Sequence, residues 1–504
     1  MGLIAPDLPD YDVTEWQALP YPEQVRLACR SWALQGFGAP AVIYLFYAAK
    51  VALFVGGWAL FVGATPGLGG MGEIGTWWHA PIAFQKAVVW ALAFEVLGFG
   101  CASGPLTARY LPPISAFLSF TRPGTVRLPP WPDRVPGTAG TSRTWLDVAL
   151  YVGLHVTLVR ALLAGSVGPA QVWPIIVALM AAGLRDKTVF LAGRSEQYGP
   201  LLLVMLFPSD LIPGAKLVAL AVWWGAATSK LNHHFPSVVA VMVSNSPFLR
   251  WRRLRRAMYR DFPDDLRPGR IPTWLAHGGT AVEYGFPILL VLGDGGVLTV
   301  IGLVVMVAFH GFITLSVPMG VPIEWNVYVV YAGFVLFGAN ADVSLWAFDS
   351  RMLVVLLLLA VVAVPVYGNL RPDRVSFLPS MRYYAGNWAA SVWLLRPEAL
   401  DRIDERVTKV AGDVPAQLGR FYDPETAVAL AGKALAFRSM HLHGRVLNRY
   451  IPRAVENPEA YELRDGELMA GVVLGWNFGD GHLHHEQLMG ALQERCGFEP
   501  GDVR

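Results

Sequence analysis

The stretch AVWWGAATSKLNHHFP, Ala221 to Pro236, lies within an apolar run that extends from Leu201 to Val243. A hydrocarbon core is crossed by roughly 20 apolar residues, so this run is long enough to cross twice, although Ser209, Asp210 and Lys216 interrupt it. Lys230 falls inside it, seven residues after Trp223, and His233 and His234 follow at once. An ammonium kept at bilayer depth costs at least about 2.5 kcal/mol on insertion scales, so a chain that keeps one there supplies it with a partner or a task. Lys230 is therefore the first candidate for function. The tryptophans Trp223 and Trp224 and the two histidines are its expected surroundings.

Outward from this stretch, comparable runs occur at Ala39 to Val62, Ala83 to Ala102, Trp145 to Ala164 and Val172 to Leu191. Others occur at Trp274 to Leu292, Val297 to Val317, Val321 to Phe337 and Met352 to Tyr367. About eight to ten crossings are expected, giving an all-α, polytopic membrane bundle. Composition agrees, since only 15% of the 504 residues are charged and 54% are hydrophobic, where a soluble globule carries roughly a quarter charged residues. Cys29, Cys101 and Cys496 lie too far apart in sequence to suggest a disulfide framework or a thiolate metal site. The opening MGLIAPDLPDYDVTEW has no basic region leading into a short apolar core, so no signal peptide is read there, and Gly2 lacks the Ser or Thr expected for myristoylation.

Charge outside the spans sets the expected orientation. Leu249 to Arg270 holds eight arginines against three aspartates, which marks a cytoplasmic loop or, alternatively, a surface for anionic headgroups. Loop Leu106 to Arg143, with five arginines, and Arg185 to Lys187 fit the same side. That loop is rich in Pro and Gly and is read as a connector or lid without helix. The expected organisation is a cytoplasmic N-terminal segment over residues 1–38, a membrane domain over 39–369 and a small helical cytoplasmic domain over 370–504. Both termini then face the cytoplasm at the plasma membrane.

Several spans carry ionisable residues: Lys50, Glu95, His155, Arg160, Glu283 and His310. Such groups face a bundle interior or a watery cavity, and pairing of opposite signs is their cheapest solution. Lys50 and Glu95 are expected to pair, either as a lock between helices or as part of a proton relay. Glu283 lies in WLAHGGTAVEYGFPILLVLG with Pro287 four residues on, His310 ends the apolar run VIGLVVMVAFHGF, and Glu324 and Asn326 follow at a membrane boundary. Lys230, Glu283 and His310 are the expected catalytic set.

The ordered series WWGAATSKL, VEYGFPILL and VVMVAFHGF resembles the transmembrane domain of vitamin K-dependent carboxylases over residues 211–338. That resemblance implies that Lys230 is the base that takes a proton from a reduced quinone, with menaquinol as the bacterial counterpart. Nothing after Leu370 resembles the lumenal part that holds the protein substrate in the eukaryotic enzymes. Over nearly its full length the chain resembles a family of actinobacterial multi-pass membrane proteins with no established activity, through DKTVFLAGRSEQYG, GVPIEWNVY and WNFGDGHLHHEQL. In the first of these, Arg194, Glu196 and Tyr198 form a polar patch expected at a membrane edge.

The C-terminal segment GWNFGDGHLHHEQL offers His482, His485 and Glu486 on one face of a helix starting near His482, a spacing compatible with a divalent metal, and His441 and His443 could add ligands. Exposed polar residues at a helix start are the alternative. No glycine-rich phosphate cradle, Ser-His-Asp arrangement or nucleic-acid reader is visible. The expected function is redox or acid-base chemistry on a lipid-soluble substrate such as a quinol. A non-enzymatic lipid-binding or transport-accessory protein of the envelope is the second reading, and a membrane di-iron oxygenase or desaturase the third. Membrane lipids and a lipid-soluble small molecule are the expected partners, with a second copy of the chain as a further candidate.

Overall fold

The computed structural model describes residues 2–100, 114–316, 322–383 and 390–504. Among the described residues, six helices are long and apolar enough to cross a membrane: Ala41–Gly63, Trp145–Leu163, Pro208–Ser229, Arg270–Leu292, Val297–Ser316 and Arg351–Leu370. Pro169–Arg185, Phe235–Asn245 and Ile323–Ala339 are shorter apolar helices beside them. Among the described residues, the eight to ten crossings expected from apolar runs thus resolve into these six full-length helices and several shorter ones. The reason is local: Leu201 to Val243 is broken twice, at Phe207 and at Lys230, into helices Ser195–Met205, Leu211–Ser229 and Phe235–Asn245. The segment expected as a second span becomes Pro81–Val96, only 16 residues long and, apart from the half-buried Trp90, buried from Ala83 onward.

Burial sorts the helices by depth. The most apolar window of Pro208–Ser229 is 61% buried, which makes it the central helix of the bundle, whereas that of Val297–Ser316 is only 22% buried. A helix that is apolar all round yet packed on one side only is suited to lipid contact on the other. The charges that interrupt the central helix close helix ends elsewhere. Asp210 accepts the backbone N–H groups of Asp349 (2.7 Å) and Ser350 (3.0 Å) at the start of Arg351–Leu358, and Lys216 donates to the carbonyls of Asn340 (2.8 Å) and Val343 (2.5 Å) beyond Ile323–Ala339. Helix ends leave backbone groups without intrahelical partners, and a buried end has to find them elsewhere.

The membrane-spanning helices do not stand apart from the rest. Helix Tyr21–Gln35 packs on Pro424–Met440, where Trp32 meets Phe437 at 5.5 Å between ring centroids and donates its indole N–H to the carbonyl of Val241 at 3.2 Å. The C-terminal helix Glu486–Cys496 docks on the loop before Trp145–Leu163, through Thr141 to Glu494 (2.7 Å) and Arg495 to Ser142 (2.8 Å). That loop, expected to be free of helix, contains helix Ser115–Phe120; its residues 106–113, like Cys101, lie outside the described residues.

Among the described residues there are two small antiparallel sheets, Tyr259–Asp261 with Asp265–Pro268 and Val392–Leu395 with Glu462–Asp465. The first sits in the arginine-rich loop. Arg255 of that loop is buried and donates to the carbonyls of Leu249 (2.6 Å) and Ser246 (3.1 Å) and to that of Leu34, so at least this arginine is structural.

Candidate functional site

Lys230 caps the C-terminal end of the central helix, where the chain turns before entering Phe235–Asn245. Its side chain is 7% exposed and its ammonium is hydrogen-bonded to Oε2 of Glu283, which projects from the middle of Arg270–Leu292 and is itself 4% exposed. The partner that bilayer burial requires is therefore Glu283. Phe309 and Phe235 present ring faces to the same ammonium at 5.7 and 5.9 Å, distances at which a ring quadrupole attracts a cation.

His310 lies on Val297–Ser316, where Trp223 donates its indole N–H to Nε2 at 3.2 Å. On the other side of the ring, Nδ1 lies 2.7 Å from Oδ1 of Asn326, whose amide nitrogen donates to the carbonyl of Pro322 at 2.8 Å and so fixes which atom faces the histidine. Indole N–H only donates and amide oxygen only accepts. The ring is consequently a neutral imidazole with its proton on Nδ1 and both nitrogens engaged. Phe286 at 6.3 Å and Phe309 at 5.6 Å between centroids close around it.

Lys230, Glu283 and His310 all line one cavity of about 490 Å³ between Phe235–Asn245, Arg270–Leu292 and Val297–Ser316. Its wall is largely apolar, with Val239, Met242, Val305 and Ile313 among the residues that form it. Leu275, Val282, Val304 and Phe312 belong to the wall and are also exposed on the outer surface of the bundle, so the cavity opens sideways onto the face that lipid would cover. Phe377 and Phe478, both from beyond the last span, close another side.

A second polar group lines the same space. Arg194, buried and with a left-handed backbone (φ 49°), donates from Nε to Oε1 of Glu196 at 2.8 Å. Its guanidinium lies 5.3 Å from the ring centroids of both Trp325 and Tyr383, and the Tyr383 hydroxyl donates to the same Glu196 oxygen at 3.2 Å. The cavity therefore combines an apolar wall with a few buried charged side chains, Lys230 and Glu283 as one pair and Arg194, whose partner Glu196 stands behind it.

The structure thus brings the three expected catalytic residues together and rearranges their surroundings. Trp223 stands behind His310 and does not line the cavity, Trp224 donates to the carbonyl of Tyr284 at 3.3 Å, and His233 is exposed. His234 packs against His443 with the rings tilted, at 4.6 Å between centroids. In place of these four, Phe235, Phe309, Trp325 and Tyr383 supply the aromatic wall. Arg194 and Glu196 are visible as a polar patch in DKTVFLAGRSEQYG; Tyr383 and Phe377 carry no signal in the sequence and Phe478 only its place in WNFGDGHLHHEQL, because all three reach the cavity only through tertiary packing. Lys50 makes its ion pair with Glu324 at 2.7 Å, while the carboxylate of Glu95, its expected partner, packs against Gly100, whose carbonyl accepts from Lys50 at 3.1 Å.

The expected C-terminal metal ligands have other engagements. The helix starts at Glu486, not near His482, and His485 is its cap, accepting the N–H of Gln487 on Nδ1 at 2.9 Å. His482 Nε2 is 2.9 Å from the carbonyl of Pro372, and His441 Nδ1 is 2.7 Å from that of Phe437. Among the described residues no group of three His, Cys, Asp or Glu side chains converges so as to hold a metal ion.

No curated protein and no solved structure matches the chain. From residue 1 to residue 504 it matches the family described as transmembrane protein of unknown function (DUF3556), and the chain belongs to that family of membrane proteins.

Proposed function

We propose that this integral membrane protein binds a lipid-soluble molecule in the cavity at Lys230 and carries out proton transfer on it. The observation that supports this reading is the buried Lys230–Glu283 pair facing an apolar cavity that opens onto the lipid side of the bundle. A molecule with an acyl or isoprenoid body and an ionisable oxygen suits such a space, and a quinol is the class that the resemblance of residues 211–338 suggests. Glu283 and Lys230 would exchange a proton with that oxygen as base and acid, since a pair held out of water needs little reorganisation to do so. His310 orients the site and does not itself transfer the proton, because Trp223 and Asn326 occupy both of its nitrogens.

The alternative is lipid binding without chemistry, in which the two ion pairs hold a headgroup. It is favoured by the internal neutralisation of Lys230 by Glu283 and of Arg194 by Glu196. Purification in mild detergent followed by extraction of bound lipid separates the two. A menaquinone-type molecule that co-purifies with the wild type and is lost in Lys230→Met with the fold retained supports proton-transfer chemistry. A phospholipid retained equally by both supports binding alone.

A further inference from the structure

A second cavity, of about 350 Å³, lies outside the bundle between the N-terminal helices and the C-terminal strands and helices. Tyr21, Val428, Leu435, Leu447 and Met469 give it a mainly apolar wall. Ser391, immediately before strand Val392–Leu395, lines this cavity, and its Oγ lies 2.6 Å from Nδ1 of the buried His484. The two residues are 93 apart in sequence, which is why no serine–histidine pattern is legible there. His484 belongs to WNFGDGHLHHEQL, the segment whose other histidines cap a helix or meet a backbone carbonyl.

Two features of the backbone bear on the reactivity of this hydroxyl. The Ser391 carbonyl accepts the N–H of Gly466 at 3.0 Å, and a Cβ added to Gly466 would come within 2.0 Å of Ser391 Oγ, so only glycine admits the hydroxyl at that spot. Gly466 also opens the nine-residue helix Gly466–Leu474, whose cap Asp465 accepts the N–H of Leu468 at 2.9 Å and so holds the strand-to-helix turn beside Ser391 in place. A serine hydroxyl is a weak nucleophile until a base within hydrogen-bond reach takes its proton, and His484 occupies that position.

We propose that Ser391 and His484 form the nucleophile and base of a second centre, separate from the membrane cavity, that cleaves esters or thioesters of apolar acyl chains. Ser391 Oγ bonds to the acyl carbonyl carbon as its proton passes to Nδ1 of His484. The bond to the leaving oxygen or sulfur then breaks, and the alcohol or thiol departs with that proton. Water attacks the acyl-serine by the same route, releasing the carboxylic acid and restoring the hydroxyl. The apolar wall selects the acyl chain.

An alkyl fluorophosphonate, which phosphonylates activated serines with loss of fluoride, tests this on the intact protein in detergent. Peptide mapping of the wild type is expected to place the label on Ser391. His484→Ala is expected to slow labelling at least about a hundredfold, the usual share of a positioned base. Absence of label on Ser391 in the folded wild type, or equal labelling rates with and without His484, overturns the proposal. Should Ser391→Ala fail to fold, the mapped wild-type peptide decides the matter by itself.

Discussion

Trp223 donates its indole N–H to Nε2 of His310 at 3.2 Å, and this single bond fixes the tautomer of a buried ring that faces the membrane cavity. In the proposed proton transfer it also leaves the handling of protons to the ionic pair of Lys230 and Glu283, while His310 holds shape. Trp223→Phe keeps the aromatic packing against Phe286, at 5.1 Å between centroids, but leaves Nε2 without its donor. The expected cost is about 1–3 kcal/mol, the penalty of an unsatisfied buried polar atom. Thermal unfolding in detergent measures it; an unchanged midpoint means that the bond does not hold the ring.

Lys230 and Glu283 are expected to be strongly coupled. Removing one partner of a buried ion pair strands the other charge, at about 3–5 kcal/mol, whereas replacing both by apolar groups of similar volume is often close to neutral. Lys230→Met and Glu283→Leu should each destabilise the protein severely, and the double variant should recover most of the loss. Additive losses in the double-mutant cycle would show that each group depends on other partners.

The response to pH should be carried by groups outside the spans. Burial holds the His441 imidazole down to about 4, so its contribution is complete above about pH 6.5 and is lost as pH falls toward 4, because the unfolded chain takes up the proton first. Glu467 acts with the opposite sign. Burial, opposed by Arg438, raises its carboxyl to about 7, and its contribution, complete below the usual carboxyl range, is lost as pH rises through 7. In unfolding followed from pH 4 to 8, His441→Leu should flatten the acid limb and Glu467→Gln the limb between about pH 4.5 and 7. An acid limb unaffected by His441→Leu would contradict this assignment.

Apolar run length and the rarity of charge within it made the helical membrane class legible, and intolerance of buried charge singled out Lys230, Glu283 and His310. What the sequence concealed is long-range partnership. Lys50 could be matched with Glu95 on the next apolar run, yet its ion pair is with Glu324, more than 270 residues away, because helix neighbours in a bundle are set by packing and not by chain order. The same cause hid Tyr383, Phe377 and Phe478 as walls of the cavity. Helix ends were misjudged where side chains could satisfy them: His485, expected as a metal ligand, is a cap, and Asp210 and Lys216, expected to be interruptions, close the ends of other helices.

The cavity at Lys230 is tested most directly by equilibrium binding of a short-chain quinol analogue to the purified protein in nanodiscs, with Lys230→Met and the cavity-filling Val239→Trp as comparisons. Val239 lines the cavity without touching the ion pair's hydrogen bond. Saturable binding at one site per chain that weakens at least tenfold in both folded variants is the expected result. Unsaturable partitioning, equal in all three proteins, would contradict a ligand site there.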